Sequence, residues 1–324
     1  MCFIFYDEIF CFLKFMIKIG YQGVLGAYSS EASFRYFLND ENLIENSLNN
    51  ILVNSKNQDK LEVNNYQFTN FARFEDVFKA VEFSEVDFGV IPLENSYAGR
   101  VAEIHNLFPL YNLYIVGEYV LPVNHKLLAK HNTNLEDVKQ IYSHEQALMQ
   151  CNSNISQTFA SHNIIRTPVA NTAVGAKTVA DNKTDRIISA IASSFAAKLY
   201  NLKILKDNFA DIKSNYTTFI IISKEPSFAK QTSQNVLTSI LFTVRNIPAS
   251  IYKSIGGFAT NNVDLIKLES YIPGGVSSSA AQFFLTFKGH IYNTNVRLAM
   301  EELGFFATNT KLLGCYEADK KRFV

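Results

Sequence analysis

Three short segments hold the groups that could do chemistry: Ile91-Pro92-Leu93-Glu94-Asn95-Ser96-Tyr97-Ala98-Gly99, Ser143-His144-Glu145-Gln146-Ala147-Leu148-Met149-Gln150-Cys151 and Asn215-Tyr216-Thr217-Thr218-Phe219. They offer hydroxyls and amides where most enzymes would present a base, a metal cluster or a cofactor loop. Such groups suit a reaction whose substrate already holds most of the driving force. The protein then has only to orient that substrate and donate hydrogen bonds where charge develops. This points away from hydrolysis and redox chemistry. Glu94, Asn95 and Ser96 end an apolar run and precede Gly99 and a helix, a position where ligands meet α/β sheets; a turn with a helix cap accounts for the same residues. Asn171 and Thr172 open a helix whose free amides suit a carboxylate, although capping alone explains Asn171. His144 has no Ser–Asp arrangement near it to make it a triad base, so an orienting or structural histidine is expected.

The elements that must position these groups follow from periodicity. Apolar runs of strand length alternate with helix-period segments from Ile17 to about Ile222, which argues for an α/β unit. Strands are expected at Ile17 to Tyr21, Val86 to Leu93, Tyr114 to about Ala129, Val138 to Tyr142, Arg186 to Ala190 and Thr218 to Ile222. Phe34, Phe37 and Leu38 mark one helix, Phe74, Val77, Phe78 and Val81 a second, and Val101, Ile104, Leu107 and Phe108 a third. Roughly Asn39 to Asn65 is dense in Asn, Ser, Asp and Lys, and is expected to be a mobile surface loop. Residues 224–236 are polar, include Pro226 and read as a linker. Over 237–318 the order strand, helix, strand, strand, helix, strand describes a ferredoxin-like βαββαβ unit.

At 324 residues, the chain has room for about two or three compact units. Lys plus Arg equals Asp plus Glu at 30 each, so there is no electrostatic footprint for nucleic acid or an acidic membrane surface. Cys2, Cys11, Cys151 and Cys315 lack metal or disulfide spacing, and reduced thiols in a cytoplasm are expected. Residues 1–15 form an apolar N-terminal extension broken by Asp7, Glu8 and Lys14, which suits neither a signal peptide nor a spanning helix. Because Met16-Ile17-Lys18-Ile19-Gly20 leads straight into the first strand, Met16 is read as the biological start.

Taken in chain order, Gly20-Tyr21-Gln22-Gly23, Gly26-Ala27-Tyr28-Ser29, Phe74-Glu75-Asp76-Val77-Phe78-Lys79-Ala80-Val81, the three segments above and Asn171-Thr172-Ala173 resemble the prephenate dehydratase family. The C-terminal unit, closing on Lys311-Leu312-Leu313-Gly314-Cys315-Tyr316, resembles an ACT regulatory domain. The resemblance implies a catalytic unit over residues 16–223 with a two-lobed, periplasmic-binding-protein-like plan. Its second lobe would span about 114–202, around a cleft for a small substrate. The implied reaction is decarboxylating dehydration of prephenate to phenylpyruvate in phenylalanine biosynthesis, with no cofactor or metal. Thr217 would donate a hydrogen bond to the departing hydroxyl, and Glu94, Asn95, Ser96, Asn171, Thr172, Thr218 and Phe219 would bind substrate. Asn246, Pro248, Ala249, Ser250, Ile251, Glu269 and Ser270 would form the effector site for phenylalanine.

Two departures from the family pattern bear on these expectations. The family's Thr-Arg-Phe reads Thr217-Thr218-Phe219, so Thr218 supplies no charge for a substrate carboxylate unless Lys177, Arg166 or another base does. The regulatory Glu-Ser-Arg-Pro reads Glu269-Ser270-Tyr271-Ile272, and Ala249 stands where the family has glycine. Phenylalanine is therefore expected to bind weakly. A homodimer or homotetramer is expected, with Leu237, Ile240, Leu265, Ile266 and Leu268 packing across a two-fold axis. Arogenate dehydration, an amino-acid-sensing or structural protein without activity, and a solute-binding protein are the rival readings.

Overall fold

The computed structural model describes residues 16–53, 60–161, 163–182, 187–245, 247–271 and 281–323. The N-terminal extension, the start of the strand expected from Arg186, and the positions of Asn246 and Ile272 lie outside them.

The first sheet holds β1 (Ile17–Gln22), β2 (Lys60–Val63), β3 (Tyr66–Phe71), β4 (Phe88–Asn95), β5 (Gly99–Arg100), β6 (Tyr114–Pro122) and β12 (Tyr216–Ser223). Its order is β2-β3-β1-β4-β12-β6, with β5 pairing β4. Helices α1 (Tyr28–Leu38), α2 (Glu41–Val53), α3 (Phe74–Glu82) and α4 (Ala102–Leu107) connect these strands. The second sheet is β11-β7-β10-β8-β9, from β7 (Lys126–Ala129), β8 (Gln140–Ser143), β9 (Ile165–Pro168), β10 (Ile188–Ala192) and β11 (Lys203–Lys206). It carries α5 (Glu145–Gln150), α6 (Asn152–Thr158), α7 (Thr172–Asp181) and α8 (Ser194–Leu199). The chain therefore leaves the first sheet after β6 and returns to it with β12.

Phe219, Ile220, Ile221 and Ile222 are all at most 1 % exposed, because β12 lies inside the sheet and is covered on both faces. Phe219 packs with Phe34, Phe68 and Leu48 on one side. On the other, Ile220 and Ile222 join Phe78, Ile104 and Phe108. A third sheet, β14-β15-β13-β16, is built from β13 (Val236–Val244), β14 (Leu265–Tyr271), β15 (Gln282–Lys288) and β16 (Ala307–Glu317), with α9 (Ser250–Thr260) and α10 (Thr294–Phe306) on one face. Its element order is βαββαβ.

Three expectations change on contact with the structure. The stretch read as a mobile loop from Asn39 to Asn65 carries α2 and β2. Ile44, Leu48 and Ile51 recur at helical spacing and bury against α1, a pattern masked by the polar residues between them. The run from Tyr114 to Ala129 is two strands in different sheets, β6 and β7. Finally, most of the apolar side chains expected to face a second copy are used within the chain. Leu237 and Ile266 join the core beneath the first sheet, Ile240 and Leu265 lie with α9 and α10, and Leu268 is 39 % exposed. Gly314 permits this seating, since a Cβ there would stand 2.0 Å from the Ile115 carbonyl oxygen.

Candidate active site

A cavity of about 520 Å³, the size of a small-molecule site, lies between the first two sheets. Pro92, Asn95, Thr217 and Phe219 line it from the first, and His144, Gln146, Gln150, Asn171 and Thr172 from the second. Asn95 and Thr217 are register partners at adjoining strand ends. Thr217 and Phe219 lie two residues apart and so share a face.

The hydrogen bonds around Asn95 fix the polarity of the site. Its Oδ1 accepts from the backbone amides of Tyr97 at 3.0 Å and Ala98 at 2.9 Å, an Asx turn that assigns the amide orientation. The two protons on its Nδ2 are shared among Thr217 Oγ1 at 3.0 Å, Asn215 Oδ1 at 2.7 Å and the Tyr216 carbonyl at 3.0 Å, so one of these bonds is bifurcated. Thr217 Oγ1 thus accepts from Asn95, and its own proton is left to donate into the cavity.

The network continues inward. Asn215, 4 % exposed, donates from Nδ2 to Gln150 Oε1 at 3.1 Å. That carbonyl oxygen also sits 2.9 Å from His125 Nε2, while Tyr28 OH sits 2.9 Å from His125 Nδ1. Because Oε1 can only accept, Nε2 carries the histidine proton and Nδ1 accepts from the Tyr28 hydroxyl. Burial lowers the His125 pKa, which holds the ring neutral, and burial pushes the Tyr28 phenol up, with Glu31 adding to it. Every member is therefore an uncharged hydrogen-bonding group.

On the second sheet, Asn171 caps α7, its Oδ1 accepting from Val174 N at 2.9 Å. The N-terminal turn of α7, whose first amides lack intrahelical acceptors, forms part of the wall with Thr172. His144 caps α5, its Nδ1 accepting from Gln146 N at 3.3 Å, which is a structural role.

The remaining residues named from the sequence are elsewhere. Thr218, 7 % exposed and paired with Glu94 and Val120, stands on the face of β12 away from the cavity. Strand alternation puts it opposite Thr217 and Phe219, so the carboxylate contact expected of it has no geometric basis. Glu94 pairs with Lys267 of β14 and lies 3.8 Å from Arg322. Ser96 Oγ accepts from Tyr216 N at 2.9 Å and ties the two strand ends together. Arg166 is bound to Asn152 and Ser156, and neither it nor Lys177 lines the cavity. Of the effector set, Pro248 and Ala249 lie in an exposed turn before α9, which Ser250 and Ile251 begin, and Glu269 and Ser270 lie on β14.

Sequence reasoning missed Tyr28, Arg100, His125, Gln150 and Asn215 as lining residues. Four of these sit inside quoted segments or beside them. His125 follows Pro122-Val123-Asn124, where the chain passes from the first sheet to the second.

Fold and cavity together define a mixed α/β protein whose central cleft offers hydroxyl, amide and neutral imidazole groups to one small molecule. Residues 19–227 match the family described as prephenate dehydratase. The chain is 31 % identical over 312 residues to arogenate dehydratase/prephenate dehydratase 2, chloroplastic, of Arabidopsis thaliana, covering 94 % of this chain and 73 % of that one. It is 36 % identical over 253 residues to the bifunctional N-acyl-homoserine lactone acylase/prephenate dehydratase of Komagataeibacter europaeus, covering 77 % and 86 %. The fold is shared with the solved prephenate dehydratase from Arthrobacter aurescens in complex with L-Phe, at TM-score 0.77 and 19 % identity over 93 % of this chain and 90 % of that one. The chain belongs to the prephenate dehydratase family. Among the described residues no helix is long and apolar enough to cross a membrane.

Proposed function

We propose that this chain converts prephenate to phenylpyruvate, carbon dioxide and water in the cytoplasm, as a step of phenylalanine biosynthesis. The observation that carries the reading is the polarity at Thr217, where Asn95 donates to the hydroxyl oxygen and leaves its proton for a ligand. Aromatisation supplies the driving force, and the hard moment is departure of hydroxide from the ring. A proton held at Thr217 Oγ1 stabilises that leaving oxygen, and Asn95 Nδ2 stabilises the negative charge that grows on Oγ1 as the proton moves. The ring carboxylate leaves as carbon dioxide, its bonding electrons entering the ring as the carbon–oxygen bond breaks, and a solvent proton restores the Thr217 hydroxyl. Acyl hydrolysis at Thr217 would need the opposite arrangement, a base accepting the hydroxyl proton.

The same cavity favours prephenate over arogenate. Arogenate carries an ammonium group where prephenate carries a keto oxygen, and among the described residues lining the cavity there is no Asp or Glu to meet it. The N-terminal turn of α7, with Thr172, suits one substrate carboxylate. The decisive comparison is kcat/KM for the two compounds. A preference for prephenate of about tenfold or more is expected. Equal or better turnover of arogenate overturns the substrate assignment.

The βαββαβ order and the closing segment of β16 support reading the C-terminal unit as an ACT domain. Phenylalanine, present in the solved relative, is the effector to test, and a dimer is the assembly to test. Here Ala249 and Tyr271 stand where the family pattern has glycine and arginine, which supports weak binding.

A further inference from the structure

Among the described residues lining the cavity, Arg100 is the one Lys or Arg. We propose that Arg100 is the carboxylate-binding residue of this site and that Glu269 and Ser270 of the C-terminal sheet hold it in reserve. The inference rests on the prephenate reading above.

Local geometry puts Arg100 at the boundary between cavity and C-terminal sheet, with its guanidinium turned toward the sheet. Arg100 ends β5, which folds back on β4 so that Glu94 pairs with Arg100 and Asn95 with Gly99. Gly99, at φ +80 with open space around it, takes the left-handed turn this requires. The Arg100 side chain is 39 % exposed. Its Nη1 donates to the Ser270 carbonyl at 2.9 Å and lies 3.4 Å from Glu269 Oε2.

Both contacts are easily exchanged. The ion pair is long and half in water, where such pairs contribute little. Glu269 also keeps a second cation, because its Oε1 lies 3.8 Å from Lys267, which is in turn paired with Glu94. Releasing Arg100 therefore leaves no isolated carboxylate behind. A substrate carboxylate offers the guanidinium two parallel charge-assisted bonds in place of one carbonyl bond and one long ion pair. Arg100 starts from the same face as Glu94 and Thr218, but it carries the charge that Thr218 lacks and ends an edge strand at the cavity rim, from which a long side chain can turn inward. It also gives the C-terminal sheet a direct hold on substrate affinity, since any shift of β14 changes how firmly Arg100 is retained.

Steady-state kinetics on the full chain and three variants test this. Arg100→Gln is expected to raise KM for prephenate by about tenfold or more with kcat changed far less, and Arg100→Lys to fall between. Glu269→Gln is expected to lower KM by about two- to threefold, and to have no effect when Arg100→Gln is already present. A structural tether alone would move both single variants in the same direction. Unchanged KM in Arg100→Gln, in a sample of wild-type melting temperature with an active wild-type control, overturns this inference and leaves the dehydratase reading standing. So does a rise in KM in Glu269→Gln that matches the rise in Arg100→Gln. A wild-type chain inert toward prephenate overturns both.

Discussion

Asn95 Nδ2 donates to Thr217 Oγ1 across 3.0 Å, from one strand end to its register partner, and this contact sets which way the threonine proton points. A threonine at a strand end commonly spends its hydroxyl on a backbone carbonyl. Here the oxygen is already an acceptor, and the Asx turn at Asn95 prevents the amide from flipping to reverse that role.

If this polarity matters, Asn95→Asp harms catalysis more than its small change in shape would. A carboxylate cannot donate to Oγ1 and would accept the threonine proton instead. The expected result is a fall in kcat of about 10²-fold, with Asn95→Ala at about 10- to 10²-fold. An Asp variant with wild-type kcat would show that the donated hydrogen bond is dispensable.

On the other face of the same sheet, Arg322 bonds Glu118 of β6 through Nε at 2.8 Å and Nη2 at 2.9 Å, with side chains 17 % and 1 % exposed. Arg322→Ala strands a buried carboxylate and is expected to lower stability by about 3–5 kcal/mol. Thr218→Arg should recover part of that loss in the Arg322→Ala background, because position 218 faces Glu94 and lies on the Glu118 side of β12. Introduced alone, Thr218→Arg should leave KM for prephenate within about twofold. Denaturant unfolding and kinetics of the three variants check these outcomes, and a tightened KM in the single variant would return Thr218 to the substrate site.

Ala249 holds φ +58 at the start of α9, a left-handed conformation its Cβ disfavours. Ala249→Gly is expected to raise stability by roughly 0.5–1 kcal/mol, measured by denaturant midpoint. Phenylalanine at low millimolar concentration is expected to leave the melting temperature of the wild-type chain unchanged. A ligand at a hundred times its Kd would add about 2.7 kcal/mol, so a clear upward shift would contradict weak binding.

Two buried histidines make stability depend on pH. Burial lowers the pKa of His105, whose Nε2 has no hydrogen-bond partner among the described residues, and of His125. Well above about pH 6.5 both are neutral folded or unfolded, and they contribute no slope. Below it the unfolded chain takes up protons that the folded chain resists, so stability falls as pH drops toward the lowered folded values. Each histidine contributes at most about 1.4 kcal/mol per pH unit in that window. Unfolding curves at pH 7, 6 and 5 should show a shallower loss for His105→Gln than for wild type; identical slopes would contradict the assignment.

Much of the fold was legible because periodicity reports burial directly. The strand expected from Ile17 to Tyr21 matches β1 to within one residue. The helix α2 was hidden because Ile44, Leu48 and Ile51 are spaced among Asn, Ser and Glu, whose composition reads as loop. At the site, alternation along Thr217, Thr218 and Phe219 already implied that the two threonines face opposite ways, and a motif read as a unit obscured it. Arg100, His125 and Arg322 were beyond local reading. Arg100 reaches the C-terminal sheet through a two-residue strand, His125 lies where the chain changes sheets, and Arg322 returns from the chain end to β6. Such contacts depend on long-range topology, which no window of sequence contains.

The central claim is that the Thr217 proton assists departure of the hydroxyl. The most direct measurement is kcat for phenylpyruvate formation from prephenate by the wild type, Thr217→Ala and Thr217→Ser, each checked for wild-type melting temperature. The alanine variant should lose about 10²-fold or more, and the serine variant, which keeps the hydroxyl, should recover most of that loss. A Thr217→Ala enzyme that turns over prephenate at the wild-type rate would contradict the account.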